Sequence, residues 1–298
     1  MNRLEFGVLV ASLRDDLHWT QPELAEESGL DFSAISNIER GERRGLLKDG
    51  MLLKLAAGLR LTTLERREFL FAASGVSERD ILRSDNDLTP TNFNARELIE
   101  NTKFIISRQQ VPFFVTDAYC DIILTNLCSM GFFQLPASLI ATAGQIVGGC
   151  NMMRVLFDPA SNFRDMVGED WEKQALLNLR YFRRTTLRYR AKPYYAKLMQ
   201  EFLNGKKYPL FDRYWRKMLA DDSDEFTFLA IYTMNSHEYG KMEYAGVESF
   251  LAMTPYGELY VNHYLPLDEN TAKAFNKIFS KCGEGCIEFA PFPDDRKI

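Results

Sequence analysis

The residues from Trp19 to Arg44, WTQPELAEESGLDFSAISNIERGERR, constrain the fold of this chain more than any other stretch. Their pattern predicts two short helices joined by a tight turn. Thr20 is a suitable N-cap for a helix over 21–28, because its hydroxyl can accept a backbone N–H of the first turn. Gly29 suits a left-handed turn residue, and a second helix is predicted over 32–40. This arrangement predicts a helix-turn-helix that places its second helix in a DNA groove.

More helices are predicted around this stretch. Apolar residues recur at helical spacing over 3–14, 51–59 and 62–74. Together these helices predict one compact, all-helical domain over residues 1–83. The segment 84–94, SDNDLTPTNFN, is polar, contains proline and lacks periodicity, and is therefore interpreted as a linker.

Residues 95–298 have a different pattern, which predicts an α+β domain. Two short β-rich runs, a long helical block and three further strand patterns follow one another, with the strands predicted over 113–118, 122–125, 226–233, 247–254 and 259–265. This order predicts a five-stranded antiparallel sheet with a large helical insertion, covered by helices.

The composition excludes several classes of protein. The five cysteines are odd in number and scattered, which indicates a reducing, cytoplasmic location, and the N-terminus has no secretory core. Cys282 and Cys286 are interpreted as ordinary thiols, because a metal site would need further ligands at suitable spacing. Phosphate-binding, hydrolase and metalloprotease motifs are missing from the sequence, so neither catalysis nor a metal or cofactor is expected.

The stretch 122–153 carries no charged residue. Polar residues and glycines interrupt it, so no run of about 20 apolar residues remains that could span a membrane. Two interpretations stay open for this stretch. It forms either a buried core or the apolar wall of a ligand cavity, since ligand pockets are mostly apolar with a few polar groups.

Side chains of the second predicted helix are expected to read DNA. Asn37 can form a bidentate pair with adenine, and Phe32 can contact a thymine methyl group. Arginines just beyond this helix are expected at phosphates. The predicted DNA-binding set, with the helical residues pointing outward, is Thr20, Gln21, Phe32, Ser33, Ser36, Asn37, Arg40, Arg43 and Arg44.

The segments TQPELAEESGL and ISNIERGER resemble the lambda-repressor-like, or XRE-family, helix-turn-helix regulators, and the resemblance covers residues 4–75. The resemblance implies that Gln21 contacts DNA and that Arg14 and Glu39 form a structural ion pair. It also implies a homodimer that binds a double-stranded operator. The two half-sites would lie about one helical turn (~34 Å) apart.

Residues 110–265 resemble the ligand-binding domain of MmyB-like regulators, and their element order is similar to PAS-type sensor domains. The matching pieces are VTDAYCDIILTN, NMMRVLF, DWEKQALLNLR and FDRYWRKM, whereas 221–246 matches poorly. The resemblance favours the cavity interpretation and implies an apolar ligand, such as a fatty acid, whose polar head Asn151, Arg154 or Arg180 could hold. The predicted ligand-binding set is Phe114, Ile123, Phe132, Phe133, Ile146, Asn151, Met152, Met153, Arg154, Phe157, Arg180, Phe250 and Tyr260.

Two alternatives concern the second domain. Its basic run over 180–192 is interpreted as a solvated helix face, with a second DNA contact as the alternative. The predicted function is a ligand-controlled transcription regulator. The alternative is a DNA-binding regulator whose second domain is a protein-interaction or dimerisation module without a small-molecule ligand.

Overall fold

The first part of the chain is helical. The computed structural model describes residues 1–42, 49–82, 94–221 and 230–290. Its first helices are α1 (Arg3–Asp16), α2 (Gln21–Ser28), α3 (Phe32–Glu39), α4 (Asp49–Gly58), α5 (Thr63–Ala73) and α6 (Glu78–Ile81). The helices that the sequence predicts in this region are therefore present, with ends that differ by one or two residues.

Local capping explains where several of these helices begin. Asn2, Thr20 and Thr62 each accept a backbone N–H of the first turn, and the glutamate three residues later bonds back to the cap. Gly29 ends α2 with φ of 59° and ψ of 37°, the left-handed conformation that the sequence predicts. Asp31 precedes α3 but its side chain makes no cap hydrogen bond.

A small apolar core joins these helices. Its fully buried members include Leu9, Leu13, Leu24, Ile35, Leu55 and Phe69. Helices α1 and α3 approach closely at Gly7, where a Cβ atom would lie 2.4 Å from the backbone oxygen of Glu39. The missing side chain lets the two backbones meet, which fixes α3 on α1.

The second part of the chain combines a sheet with many helices. Its strands are β1 (Phe113–Asp117), β2 (Ile122–Asn126), β3 (Ala230–Ser236), β4 (Gly240–Thr254), β5 (Gly257–Pro266) and β6 (Cys286–Glu288). Its helices are α7 (Ala95–Ile106), α8 (Leu127–Phe133), α9 (Ala137–Ala141), α10 (Met152–Phe157), α11 (Phe163–Val167), α12 (Trp171–Thr186), α13 (Pro193–Phe202), α14 (Phe211–Leu219) and α15 (Glu269–Cys282). Short 3-10 turns occur at Ala143–Gln145, Gly168–Asp170 and Leu187–Tyr189.

The sheet has the order β3-β4-β5-β1-β2-β6, with antiparallel pairs throughout the described residues. It has six strands, so the prediction of five was wrong. The extra strand β6 pairs with β2, where Glu288 lies opposite Leu124. Three residues are too few to show the alternation that identifies a strand in a sequence.

Two strand boundaries also differ from the prediction. Strand β3 begins at Ala230, and residues 226–229 of the predicted strand lie outside the described residues. Strand β4 begins at Gly240, seven residues before the predicted start. The tight β3–β4 connection explains this difference, because Ser236 pairs with Gly240, whose φ of 75° suits glycine.

The two faces of the sheet pack against different helices. Phe132, Tyr244 and Phe275 belong to the larger cluster, which joins one face to α8, α12 and α15. Ile106 and Ile123 belong to a smaller cluster on the other face, beside α7. Side chains from neighbouring strand positions therefore enter separate cores.

The region between the two parts is described only at its end. Residues 83–93, which include most of the predicted linker, lie outside the described residues. Asn94 caps α7 by accepting the backbone N–H of Glu97. Within the described ranges, no helix has the length and apolar character needed to cross a membrane.

Candidate functional site

A largely buried ion pair holds helix α3 against α1. Arg14 Nε lies 2.7 Å from Glu39 Oε1, and Arg14 Nη2 donates to Glu39 Oε2 at 3.0 Å, which is the pair that the sequence predicted. The hydrogen bond with Glu39 raises the pKa of Arg14 above its ordinary value. Gln21 also donates to Glu39, at 2.9 Å, so α1, α2 and α3 meet at one carboxylate.

The exposed face of α3 carries most of the predicted DNA-reading residues. Phe32 is 53% exposed and Ser33 is also exposed. Arg40 lies across this face, donating to Asn37 Oδ1 at 2.8 Å and to Ser36 Oγ at 2.9 Å. Ser36 was predicted to point outward but is only 8% exposed, and its hydroxyl accepts the hydrogen bond from Arg40.

The other predicted DNA contacts have different surroundings. Thr20 is engaged as the N-cap of α2, where its hydroxyl binds both the backbone and the side chain of Glu23. Gln21 is oriented by Glu39, as described above. Arg43 and Arg44 lie outside the described residues.

Two neighbouring cavities lie beside the sheet. We call the first the junction cleft. Its volume is about 470 Å³, within the range of about 300–1,000 Å³ that is usual for ligand pockets. The second, the inner pocket, has a volume of about 50 Å³ and a mainly apolar wall. The two share the wall residues Phe114, Met152, Asn178, Tyr232 and Tyr264.

Four predicted ligand-binding residues line these cavities. Phe114 and Met152 lie where the cleft and the inner pocket meet. Phe133 lines the inner pocket, and Arg180 lines the cleft. Arg180 also pairs with Asp221, another residue of the cleft wall.

Several other predicted ligand-binding residues are packed in cores instead. Ile123 lies in the cluster on the opposite face of the sheet, because neighbouring positions of a strand face opposite sides. Phe132, Met153 and Phe157 are completely or almost completely buried in the larger cluster. Phe157 packs its ring against Trp171, with centroids 5.5 Å apart.

The remaining predicted residues have surface or polar surroundings. Ile146 and Phe250 are exposed, and Tyr260 bonds to Glu258. Asn151 caps α10 and donates to Asp121 Oδ1 at 2.7 Å. Arg154 donates to the backbone oxygens of Leu139 and Gly149 and to Asp158. Asn151 and Arg154 thus bind the protein itself, and Arg154 supports the backbone of Leu139 and Gly149, which line the inner pocket.

The sequence reasoning missed an acidic group in the cleft wall. Arg184 Nη2 lies 3.1 Å from Glu248 Oε1, and both residues line the cleft. Burial raises the pKa of Glu248, although Arg184 acts in the opposite direction. Burial also raises the pKa of the neighbouring Tyr181 well above its ordinary value. A charged residue inside the β4 pattern was the sequence signal that could have identified Glu248.

Four residues of the basic run over 180–192 contact the helical N-terminal part of the chain. Arg183 bonds to Glu65, and both side chains are buried. The neighbouring contacts are Arg188 with Glu68, Arg190 with Asp16 and Lys192 with Glu5. The interpretation of a solvated helix face was therefore wrong for the three arginines, which are buried against acidic residues of α1 and α5. Lys192 is 46% exposed and remains at the surface.

The described residues contain no group of three or more His, Cys, Asp or Glu side chains arranged to hold a metal ion. Cys282 and Cys286 are both free thiols and partly buried. Burial raises the pKa of Cys286 to about 11. At neutral pH this thiol is therefore protonated and unreactive.

Comparison with protein families adds two matches. Residues 101–278 match the model of the MmyB-like transcription regulator ligand binding domain, and residues 10–65 match a helix-turn-helix model. A comparison with curated proteins gave no match.

Proposed function

The chain belongs to the family of MmyB-like transcription regulators, and from this premise we propose that an apolar small molecule, bound in its second domain, controls DNA binding by its first. A lipid or a molecule similar to a fatty acid would suit the site. The element order of two strands, a helical block and three strands supports a PAS-like sensor. The working form that we propose is a homodimer on two half-sites.

The observation that carries this proposal is the wall that the junction cleft shares with the inner pocket. The described residues that line the inner pocket are uncharged and include aromatic and aliphatic groups such as Phe133, Leu139 and Phe163. The cleft adds polar and charged groups at its outer part. The cleft, with about 470 Å³, has room for such a molecule, whose apolar part would lie against the shared wall and whose polar end would lie at the outer part of the cleft.

DNA recognition is proposed to depend on Asn37, because it lies on the face of α3 beside Phe32 and Arg40. We expect Asn37→Ala to weaken binding about tenfold or more, since one good base contact contributes about 1–3 kcal/mol. The duplex would be selected from a randomised pool with the wild-type protein, and affinity measured by fluorescence anisotropy. Gln145→Ala removes an exposed amide from the second domain and serves as the control. Equal affinities for all three proteins would contradict the proposed role.

Ligand binding is proposed to require the space beside Met152, where the two cavities meet. We expect Met152→Trp to reduce the affinity for cis-parinaric acid, a fluorescent fatty acid, about tenfold (about 1.4 kcal/mol), because the larger ring fills this space. Leu203→Trp, at an exposed position on the C-cap of α13, is the control. If the wild-type protein binds neither this acid nor other lipids, the second domain is better explained as a protein-interaction or dimerisation module.

A further inference from the structure

The wall of the junction cleft is built by both domains. The first domain contributes Leu17 and the segment 60–66, which contains the connection from α4 to α5. The second domain contributes α12 and strands β3, β4 and β5. A molecule that fills the cleft therefore contacts the DNA-binding domain directly, in addition to its own sensor domain.

One ion pair that joins the domains is itself part of this wall. Glu65 and Arg183 both line the cleft and bond to each other, with side-chain exposures of 4% and 6%. The other interdomain pairs lie outside the cleft wall. They include Arg190 with Asp16, where the arginine side chain is fully buried, and Arg188 with Glu68 at 2.8 Å.

Helix α12 connects the junction cleft with the ion pairs that hold the first domain against the second. We call these ion pairs the docking contacts, and the arrangement that they hold the docked arrangement. Arg180, Tyr181, Arg183 and Arg184 all lie in the cleft wall, and Arg183 also bonds to Glu65 of the first domain. The 3-10 turn that follows α12 carries Arg188, and Arg190 comes directly after it. Ligand and docking contacts thus act on one continuous element, so occupancy of the cleft can change the stability of docking.

Charge is distributed unevenly between the two cavities. The described cleft wall carries an excess of positive groups, with Arg60, Arg66, Arg180, Arg183 and Arg184 against Glu65, Asp221 and Glu248. Among the described residues, the inner pocket has no charged group in its wall. The polar end of a bound amphipathic molecule is therefore favoured at the side of the first domain.

The docked arrangement leaves the reading face of α3 accessible. Phe32 and Ser33 are exposed, while the interdomain ion pairs involve residues of α1 and α5. Docking therefore fixes the direction in which α3 points without covering it. In a dimer, this direction sets the spacing of the two recognition helices.

We propose that the DNA-binding domain forms part of the ligand site, so that a molecule in the junction cleft stabilises the docked arrangement held by the interdomain ion pairs. This inference rests on the proposed function, because it concerns the regulation of the same cavity. Linkage makes the effect reciprocal. A substitution that separates the first domain from the second must therefore lower the affinity for the ligand, even when the substituted residue does not contact the ligand.

The test uses Asp16→Arg in the full-length chain. This change places two positive groups together at the buried Arg190, outside the cleft wall. We expect the affinity for cis-parinaric acid to fall about tenfold or more. We also expect small-angle X-ray scattering to give a larger radius of gyration than for the wild-type protein. Combining Asp16→Arg with Arg190→Asp reverses the pair and should restore both values. Glu26→Arg, an exposed position of the same domain, is the control that should change neither.

The possible outcomes separate the two proposals. Equal acid affinity in the Asp16→Arg variant and the wild type would overturn the inference, whether or not the variant expands. If the acid binds neither protein, the proposed ligand class fails, and scattering alone decides the docking part of the inference. A compact wild type and an expanded variant, with rescue by the reversed pair, would then support it, and equal dimensions would overturn it. Circular dichroism on each variant establishes that both domains remain folded.

Discussion

Glu39→Ala is expected to destabilise the helix-turn-helix domain by about 1–3 kcal/mol, because the largely buried Arg14 guanidinium loses both of its hydrogen bonds to this carboxylate. The carboxylate is only 6% exposed and accepts hydrogen bonds from Arg14 and Gln21. Without it, the Arg14 guanidinium must remain partly buried or pull α1 away from α3. Hydrogen–deuterium exchange of amides in α1 and α3 of the full-length protein would measure the loss of stability.

The same arginine provides a matched control. Asp15 also pairs with Arg14, at 2.6 Å, but its side chain is 68% exposed. Asp15→Ala is expected to cost only about 0–1 kcal/mol, since water and salt screen exposed pairs. If the backbone amides of α1 and α3 exchange at the same rate in both variants, Glu39 does not anchor α3 to α1.

Phe132→Ala is expected to destabilise the second domain by about 3–5 kcal/mol, the usual cost of removing a buried aromatic ring. The ring is fully enclosed and contacts Phe133, Tyr244, Tyr264 and Phe275, with centroid distances between 5.2 and 5.6 Å. Its removal leaves a cavity that these rings can fill only in part. Urea denaturation followed by tyrosine and tryptophan fluorescence would measure the change.

Phe250 offers the opposite case, because the sequence placed it in the same ligand-binding set. Its side chain is 58% exposed on β4. Phe250→Ala is expected to change the stability by no more than about 0.5 kcal/mol, as usual for surface positions. A large loss for Phe250→Ala, or none for Phe132→Ala, would contradict the described packing.

The fold of the first domain was readable from the sequence because its signals are local. Thr20, Gly29 and the apolar spacing of α2 and α3 act within a few residues of one another. Even the Arg14–Glu39 pair could be inferred, through resemblance to a family in which both positions have a known relation. The strand β6 escaped prediction because its pairing partner β2 is about 160 residues away in the chain, and three residues carry no pattern of their own.

The ligand-binding set shows the limit of the same reasoning. Phe114, Phe133 and Met152 were identified from apolar character and do line cavities, but Phe132 and Met153, with the same character, fill the core. Hydrophobicity predicts burial and cannot distinguish a packed interior from the wall of an empty space. That distinction depends on how strands and helices from four or more segments meet.

The sequence by itself determined the helix-turn-helix, the α+β character of the second domain and the residues that face outward on most of α3. Only the tertiary structure decided where the arginines of α12 and the turn after it find their partners. Arg183, Arg188 and Arg190 looked like a solvated basic face because their acidic partners lie more than 100 residues earlier, on α1 and α5. The physical reason is that charge pairing and cavity shape depend on distances in space, whereas capping and periodicity depend on distances along the chain.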